Sequence, residues 1–428
     1  MRYKPFDSGL FVRNRKKLIE KLEPGALVIC HSNDEMPRNG DQFFPYRQNS
    51  DMFYLTGLDQ EKCILVLFPD HPNKAMREII FTIKTNDHMV TWYGHKYTLE
   101  QVTEVSGVQT VKWLDDFDHV LHELMARASI VYLNMNEYPR FSTPVPSRDL
   151  RFALELKQKY PLHEYDRLAP IITKLRMVKE VEEIEAISRA CEITGDAFGR
   201  VLNFVKPGVM EYEVEAEITH EYIRNGCSGH AYPPIVASGI NNCILHYGQN
   251  DRQCKNGELL LLDFGAEYGN YAGDCSRTIP VNGKFTPRQR QVYEAVLRVL
   301  RQASLMLVPG TTIDSYHAKV CKLVENELIG LGLFTSEDVK NQDPENPLYF
   351  KYYMHGTSHF IGLDVHDVGG KQDVLQKGMV LSCEPGIYIP EEGFGIRLEN
   401  DILVDDAPID LMAHIPIEPH EIEALMAR

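Results

Sequence analysis

Two aspartates follow an apolar run in the second half of the sequence. The run Leu259-Leu-Leu-Leu ends at Asp263, and Asp274 follows after a turn that contains Gly269 and Asn270. A Gly-Asn pair is typical of a hairpin turn, so we expect the flanking strands to pair and bring both carboxylates together. Because two close carboxylates repel each other, one must take a proton or both must bind a cation at neutral pH. An isolated pair of this kind is more often structural or solvent-exposed.

Histidines and glutamates recur further along the chain. His355, His359 and His366 lie within twelve residues of a glycine-containing segment. A single histidine is usually a satisfied core residue, but three so close together favour a site. Glu384 and Glu399 each follow an apolar run and are predicted to lie on strands. A glutamate that points into a core from a strand is costly unless it is paired or bound to a metal.

The candidate ligands, four carboxylates and one imidazole, predict a particular metal chemistry. They suit Mn(II), Co(II) or Zn(II), and the lack of a cysteine-rich set argues against a structural zinc finger. More than four ligands favour two ions that share carboxylates, and such sites hold a hydroxide and polarise a carbonyl at once. His220-Glu221 is followed by Arg224 rather than by histidine, so the H-E-x-x-H motif of single-zinc metalloproteases is missing.

The elements that must position these residues divide into two predicted domains. Residues 1–172 alternate short apolar runs with amphipathic stretches, which predicts an α/β domain. The predicted strands of this domain are 26–30, 63–68, 78–82 and 129–133, and its predicted helices are 11–22, 117–128 and 148–159. Pro170 is a predicted element break close to the boundary.

Residues 173–428 form the second predicted domain, which contains an internal repeat. The repeat consists of two helix pairs, predicted at 181–204 with 212–225 and at 287–307 with 314–331. Thr286 is a predicted N-cap, with proline at the first helical position. Each pair precedes strands rich in His, Asp and Glu, so we expect a pseudo-twofold domain with a site between its halves.

The composition narrows the class of partner. The chain has 428 residues, with 61 acidic and 45 basic side chains and a net charge of −16. This excess disfavours nucleic acid or an anionic membrane as the main partner, because phosphate binding needs a basic surface.

The sequence shows no apolar run of about 18 residues and no signal-peptide core. Nine cysteines without a C-x-x-C pair are predicted to be reduced and mostly buried, so we expect a cytoplasmic protein.

Six short segments carry a family resemblance. They are Leu262-Asp-Phe-Gly-Ala266, Tyr271-Ala-Gly-Asp-Cys-Ser-Arg-Thr278, His355-Gly-Thr-Ser-His359, Gly362-Leu-Asp-Val-His366, Glu384-Pro-Gly386 and Ile396-Arg-Leu-Glu399. In order and spacing they resemble the pita-bread metallopeptidases, the superfamily of aminopeptidase P, prolidase, methionine aminopeptidase and creatinase. The stretch 47–57 resembles the N-terminal domain of aminopeptidase P. The resemblance implies a creatinase-like α/β N-terminal domain followed by an α+β pita-bread catalytic domain.

The resemblance also implies a dinuclear metal site. Its ligands would be Asp263, Asp274, His359, Glu384 and Glu399. Asp274 and Glu399 would bridge the two ions, Asp263 would complete one ion, and His359 with Glu384 would complete the other. The ions would be Mn(II), with Co(II) or Zn(II) as alternatives. A bridging hydroxide would attack the carbonyl of an Xaa-Pro bond in a peptide, while Glu384 moves the proton.

Further residues take roles from the same resemblance. His246 would lie beside the scissile bond, His366 would stabilise the substrate carbonyl or the tetrahedral intermediate, and His355 would line the product side. Arg397 and Tyr232 would lie beside the metal carboxylates and orient them. The N-terminal domain would limit access to the site and build the contacts of a homodimer or homotetramer.

Two departures from the family pattern and three alternatives remain. Asn400 and Cys275 stand where relatives often have aspartate and isoleucine, which bears on rate or metal preference. Prolidase, an Xaa-Pro dipeptidase, is the nearest alternative, but segment 49–56 favours aminopeptidase P. A non-catalytic pita-bread scaffold that binds a partner protein or histones is disfavoured by the complete ligand set. The same set disfavours a creatinase-like amidinohydrolase, which works without a metal.

Overall fold

The computed structural model describes residues 2–427, which form two compact units. The first unit contains residues 5–176, and the second contains residues 177–427 together with residues 2–4. The division between the units therefore lies a few residues beyond the predicted boundary at 172. No helix among the described residues is both long and apolar enough to cross a membrane.

A mixed sheet forms the centre of the first unit. The strands of this unit are β1 (Ala26–His31), β2 (Pro37–Asn39), β3 (Gln42–Phe43), β4 (Ile64–Leu67), β5 (Glu78–Thr82), β6 (Thr110–Trp113), β7 (Ile130–Leu133) and β8 (Glu164–Arg167). Six of them form one sheet in the order β6-β5-β4-β1-β7-β8, while β2 and β3 form a separate hairpin. The four predicted strands are confirmed as β1, β4, β5 and β7, within two residues at each end.

Seven helices accompany these strands in the first unit. They are α1 (Ser8–Ile19), α2 (Ser50–Thr56), α3 (Asp87–Tyr93), α4 (Leu99–Ser106), α5 (Phe117–Met125), α6 (Arg148–Lys159) and α7 (Ala169–Met177). Helix α1 begins earlier than predicted because the carboxylate of Asp7 caps it and accepts the N–H of Gly9. Leu27, Val131 and Phe152, from β1, β7 and α6, share one buried apolar core.

The second unit begins with a long helix and repeats a pairing of helices. Its helices are α8 (Val181–Phe204), α9 (Glu211–Arg224), α10 (Pro287–Ser304), α11 (Ile313–Gly330), α12 (Ser336–Lys340) and α13 (Pro419–Met426). The four predicted helices are confirmed as α8, α9, α10 and α11. Thr286 caps α10 as predicted, since its hydroxyl accepts the N–H of Gln289. The twofold relation between the two helix pairs stays a prediction.

Short antiparallel strands of the second unit carry Asp263 and flank Asp274, Glu384 and Glu399. They are β9 (Gly229–His230), β10 (Ile235–Ser238), β11 (Leu259–Phe264), β12 (Ala266–Tyr268), β13 (Tyr271–Ala272), β14 (Cys275–Pro280), β15 (Val380–Cys383), β16 (Gly386–Ile389), β17 (Phe394–Arg397), β18 (Asn400–Leu403) and β19 (Ile409–Asp410). They form three-stranded sheets β10-β11-β14, β13-β12-β9 and β15-β18-β19, and the pair β16-β17.

The predicted hairpin turn is present between β12 and β13. Gly269 and Asn270 have positive φ angles of 59° and 67°, the pattern of a tight hairpin turn that matches strand twist. Tyr268 pairs with Tyr271 across it. Beyond the hairpin, β14 returns antiparallel to β11.

The cysteines are unpaired, as predicted. All nine are free thiols, and eight of them are buried. Burial raises the pKa of Cys275, which follows Asp274, to about 12, so this thiol stays protonated at neutral pH.

Candidate metal centre

One tyrosine hydroxyl joins the two aspartates. Asp263 lies in β11 opposite Ser276 of β14, and Asp274 lies immediately before β14. The hydroxyl oxygen of Tyr232 is 2.6 Å from Oδ1 of Asp263 and 2.5 Å from Oδ1 of Asp274. A phenol has one proton to donate, so Tyr232 donates to one carboxylate, and the second contact is a hydrogen bond only if that carboxyl group donates a proton of its own. The structure therefore brings the two carboxylates together.

Glu384 and Glu399 were predicted to lie on strands, but each lies just outside a strand. Glu384 follows β15, and Pro385 separates it from β16, because proline has no N–H to continue a ladder. Glu399 lies between β17 and β18 and forms an isolated bridge with Ser276. The hydroxyl of Ser276 donates to Oε2 of Glu399 at 2.7 Å. This bridge joins the aspartate-bearing strands to the glutamate-bearing ones.

His359 completes a cluster of possible ligand atoms. Asp274, His359 and Glu399 offer atoms that all lie within 4.8 Å of one another. Nε2 of His359 is 3.3 Å from Oδ2 of Asp274 and 3.7 Å from Oε1 of Glu384. Its Nδ1 is 3.1 Å from the carbonyl oxygen of Phe360, which can only accept. Nδ1 therefore carries a proton, and Nε2 is the atom that faces the carboxylates.

Arg397 supplies a buried cation beside this acidic cluster. Its guanidinium donates to Oδ2 of Asp263 at 2.5 Å, to the hydroxyl of Tyr388 at 3.0 Å and to Oγ of Ser276 at 2.9 Å. Charge-assisted bonds from one planar group fix the orientation of all three acceptors. Arg397 thus holds Asp263 from one side while Tyr232 holds it from the other.

The pKa values show how strongly these groups interact. Burial and the charge of Asp274 raise the pKa of Asp263. Burial raises the pKa of Glu384 to about 7 and that of Glu399 well above its ordinary value, with neighbouring carboxylates adding to both shifts. Burial alone would lower the pKa of His359, but the carboxylates of Asp274 and Glu384 raise it to about 9. A buried group of anions with these shifts calls for additional positive charge.

The other predicted histidines lie around the cluster in different environments. Nε2 of His355 is 2.8 Å from the hydroxyl of Tyr388, and burial lowers the pKa of His355 to about 3. His366 is exposed, and its ring lies 4.4 Å from that of His359 at an angle of 88°. His246 is exposed and close enough to His355 for its charge to contribute to the lowered pKa.

Sequence reasoning missed Ser276, Tyr388 and Asp401. Asp401 is fully buried, and its Oδ2 accepts the N–H of Asp274 at 2.9 Å. The alternation of extended chain was the available signal, because side chains two residues apart share a face. Ser276 follows Asp274 by two positions, and Asp401 follows Glu399 by two. Tyr388 had no such signal, because Pro385 separates Glu384 from the strand β16 that carries Tyr388.

The donor atoms of the cluster fit hard or borderline divalent cations. The five predicted ligands supply carboxylate oxygens and one imidazole nitrogen, and no thiolate. Arg397, Tyr232 and Ser276 hold the carboxylates from behind, the arrangement by which outer groups orient metal ligands. Divalent ions at this point would relieve the repulsion that raises the carboxylate pKa values.

Fold and site together define a metallopeptidase with a pita-bread catalytic domain. The model of metallopeptidase family M24 matches residues 185–406, and the model of the aminopeptidase P N-terminal domain matches residues 11–132. The chain therefore belongs to metallopeptidase family M24, with an aminopeptidase P N-terminal domain ahead of the catalytic one. The resemblance drawn from the six segments is confirmed, and the enzyme is a hydrolase whose family depends on metal.

Relatives of this chain include both kinds of proline-directed peptidase. The chain is 36% identical to the Xaa-Pro aminopeptidase of Escherichia coli over 433 residues, which cover 97% of each protein. It is 30% identical to the human Xaa-Pro dipeptidase, with 98% of this chain and 93% of the relative covered. A solved structure of zinc-substituted E. coli aminopeptidase P in complex with product has a TM-score of 0.87 at 34% identity, with 99% of each chain covered.

Proposed function

We propose that this enzyme is an Xaa-Pro aminopeptidase that uses two divalent metal ions. It would release the N-terminal residue from peptides with proline in the second position. The observation that carries the proposal is the convergence of Asp274, His359 and Glu399 on one point. Glu384 lies beside His359, and the hydroxyl of Tyr232 joins Asp263 to Asp274. The N-terminal domain match and the higher identity to the aminopeptidase favour this activity over the dipeptidase.

The proposed ligand assignment divides the five donors between two ions. Asp274 and Glu399 would be shared, Asp263 would complete one ion, and His359 with Glu384 would complete the other. The bridge between β14 and Glu399 and the contact of His359 with Asp274 support this division. When bound, the ions would activate water and polarise the scissile carbonyl. We propose Mn(II) as the metal, with Co(II) and Zn(II) as alternatives, because oxygen donors dominate the set.

Glu384 has the properties of a proton carrier in this site. Its pKa is raised to about 7 by burial and by neighbouring carboxylates. This value holds for the cluster without bound ions, and divalent ions would lower it, so the proton-carrying role of Glu384 follows from the resemblance. His355 lies on its other side, with Nδ1 3.7 Å from Oε2 of Glu384. By the resemblance, Glu384 takes the general base and acid role in the proposed reaction.

The exposed histidines are proposed to contact the peptide. His366 lies against the ring of His359, where a donor to the substrate carbonyl is needed. His246 is exposed and lies near His355, and by the resemblance it would face the residues beside the scissile bond. His355 would line the product side. These three roles are taken from the resemblance, and only the positions of the rings are observed.

A comparison of two substrates tests the proposal directly. The purified enzyme, loaded with Mn(II), is expected to release the first residue of an Xaa-Pro-Yaa tripeptide faster than it cleaves the Gly-Pro dipeptide. Fast dipeptide cleavage without tripeptide cleavage would show a prolidase instead. Metal analysis of enzyme purified without chelator is expected to find divalent ions, and a chain that binds none and cleaves neither peptide would be a scaffold.

A further inference from the structure

A buried charged cluster lies at the start of helix α8, and the proposed reaction does not use it. It consists of Lys179, Glu183, Tyr271 and Asp367, which are 6%, 2%, 1% and 3% exposed. Nζ of Lys179 is 3.2 Å from Oδ2 of Asp367, and both side chains are almost completely removed from solvent. A buried ion pair of this kind adds little net stability over apolar side chains of similar size.

The cluster joins the two chain segments that carry the candidate ligands. The hydroxyl of Tyr271 donates to Oε1 of Glu183 at 2.9 Å, and Tyr271 belongs to the hairpin arm that leads to Asp274. Asp367 follows His366 directly, and its backbone N–H donates to the carbonyl of Phe360 at 2.9 Å. One group of buried charges therefore contacts both the hairpin arm and the turn after His359.

The turn that follows His359 packs closely against the Asp367 carboxylate. A Cβ atom added to Gly362 would lie 2.1 Å from Oδ2 of Asp367, so only glycine fits there. The carbonyl of Gly362 accepts the N–H of Ala272 at 2.9 Å, two residues before Asp274. Lys179 holds this carboxylate from the other side and also donates to the carbonyl of Met177 at 3.4 Å. The ion pair thus clamps the loop that ends in His366.

We propose that Lys179 and Asp367 are positioning residues, which act on the reaction by holding His366 and its turn over the metal centre. This inference rests on the proposed function. The effect of the pair passes through the backbone of residues 360–367, where Asp367 bonds to Phe360. Displacement of a reacting or stabilising group by as little as 1 Å can lower turnover by about 100-fold.

A double variant separates positioning from stability. Lys179→Met or Asp367→Asn alone leaves a buried charge without its partner, which is strongly destabilising. Lys179→Met with Asp367→Asn removes both charges at similar volume, so its thermal midpoint is expected to recover towards that of the wild type. We expect kcat of the folded, metal-loaded double variant to stay reduced by about tenfold or more, with little change in KM or metal content.

Repeating the double substitution in the His366→Ala variant tests whether the loss of kcat depends on His366. When His366→Ala is already present, the double variant is expected to lower kcat no further. The ion pair of exposed Arg298 with partly buried Glu327, changed to Met and Gln, serves as the matched control and is expected to leave kcat unchanged. The Asp367→Asn variant alone gives a second measurement, since its folded fraction is expected to show a reduced kcat as well.

The outcomes distinguish this inference from the proposed function. A double variant with wild-type kcat, or one that lowers kcat equally with and without His366, overturns the positioning role. A wild-type enzyme that does not hydrolyse Xaa-Pro peptides overturns the proposed function and the inference together. An active wild type, with a folded double variant that is slow only when His366 is present, supports both.

Discussion

His355 illustrates how the surrounding groups fix one protonation state. Its Nδ1 is 2.7 Å from the carbonyl oxygen of the next residue, which can only accept, so Nδ1 carries the proton. Nε2 then accepts from the hydroxyl of Tyr388, which itself accepts from Arg397. Arg397 continues the chain to Asp263. The pKa of His355, lowered to about 3 by burial and by Arg397, keeps this tautomer neutral throughout the physiological pH range.

At the residue scale, Asp263→Asn tests the ligand assignment. The amide has the same shape as the carboxylate, and Glu399 remains as a negative charge near Arg397, so we expect the fold to be kept. The amide is a poor ligand, so turnover should fall by about 100-fold or more together with metal content. Circular dichroism and metal analysis check the two effects, and Asp406→Asn at an exposed position is the control. Near wild-type activity with Mn(II) present would refute the assignment.

His366→Ala tests a residue that lies outside the ligand set. The ring is exposed and packs against that of His359, outside the assigned ligand set, so metal content should change little. Loss of one donor to a developing oxyanion lowers kcat by roughly 100-fold or more. The exposed His420→Ala on α13 is the control, and it should leave kcat unchanged. A variant that loses metal and activity in parallel would place His366 among the ligands.

At the scale of elements, apolar periodicity was sufficient to predict the buried strands and the long helices. β1 is buried along its whole length, and α8 presents a continuous apolar face. Strand β8 was missed because its residues, Glu-Tyr-Asp-Arg, are mostly exposed at the edge of the sheet and show no apolar pattern. Apolar periodicity indicates burial, so it does not detect strands that are polar and lie at the edge of a sheet.

The candidate site was predictable in its residue types but not in its geometry. Asp263 and Asp274 were placed together by a hairpin whose turn residues are specific. Glu384 and Glu399 were placed on strands, whereas they lie where strands end and the ladder is interrupted. Buried partners such as Tyr388 come from a different strand, and no local sequence pattern specifies a contact of that kind. Tertiary contacts set these positions.

Gly265→Ala tests the close approach of two chain segments between the aspartates. A Cβ atom at Gly265 would lie 1.8 Å from the carbonyl oxygen of Gly273, which is backbone and cannot turn away. We expect the strands to move apart, with a loss of roughly 1–3 kcal/mol in the free energy of unfolding and a fall in metal affinity. Urea unfolding and metal titration measure the two losses.

A glycine in open space provides the matched control for this substitution. Gly199 lies inside α8 with no atom within 4 Å of an added Cβ. Gly199→Ala should therefore raise the free energy of unfolding by about 0.5–1 kcal/mol, because alanine favours the helix. Equal stability of Gly265→Ala and the wild type would show that residues 265 and 273 are not packed together as described.

At the scale of the whole molecule, part of the net charge of −16 is concentrated at the candidate metal centre. Asp263, Asp274, Glu384 and Glu399 concentrate negative charge at one buried point, which two divalent ions would neutralise. The ions should then stabilise the folded chain by mass action, by about 2.7 kcal/mol when free metal exceeds Kd by 100-fold. Differential scanning calorimetry with and without a chelator measures this, and Asp263→Asn should show a smaller difference. Identical midpoints in both conditions would contradict metal binding at the cluster.

Glu183 gives the folded molecule a pH dependence that does not involve the proposed ligands. Burial raises its pKa from 4.5 to about 7, although Lys179 and the hydroxyl of Tyr271 oppose the shift. Between these two values the folded state holds a proton that the unfolded state has lost. The free energy of unfolding must therefore fall as pH rises from about 4.5 to 7, by up to about 3 kcal/mol from this group alone.

Glu183→Gln removes this contribution because the amide does not titrate. Urea unfolding of both proteins at several pH values isolates it, since every other group is common to the two. Relative to the wild type, the variant should gain stability steadily as pH rises through that window and then level off above pH 7. Glu185→Gln, exposed on the same helix, should follow the wild-type curve. A constant difference between variant and wild type across the window would mean that Glu183 ionises normally, and that the cluster at the start of α8 is open to water.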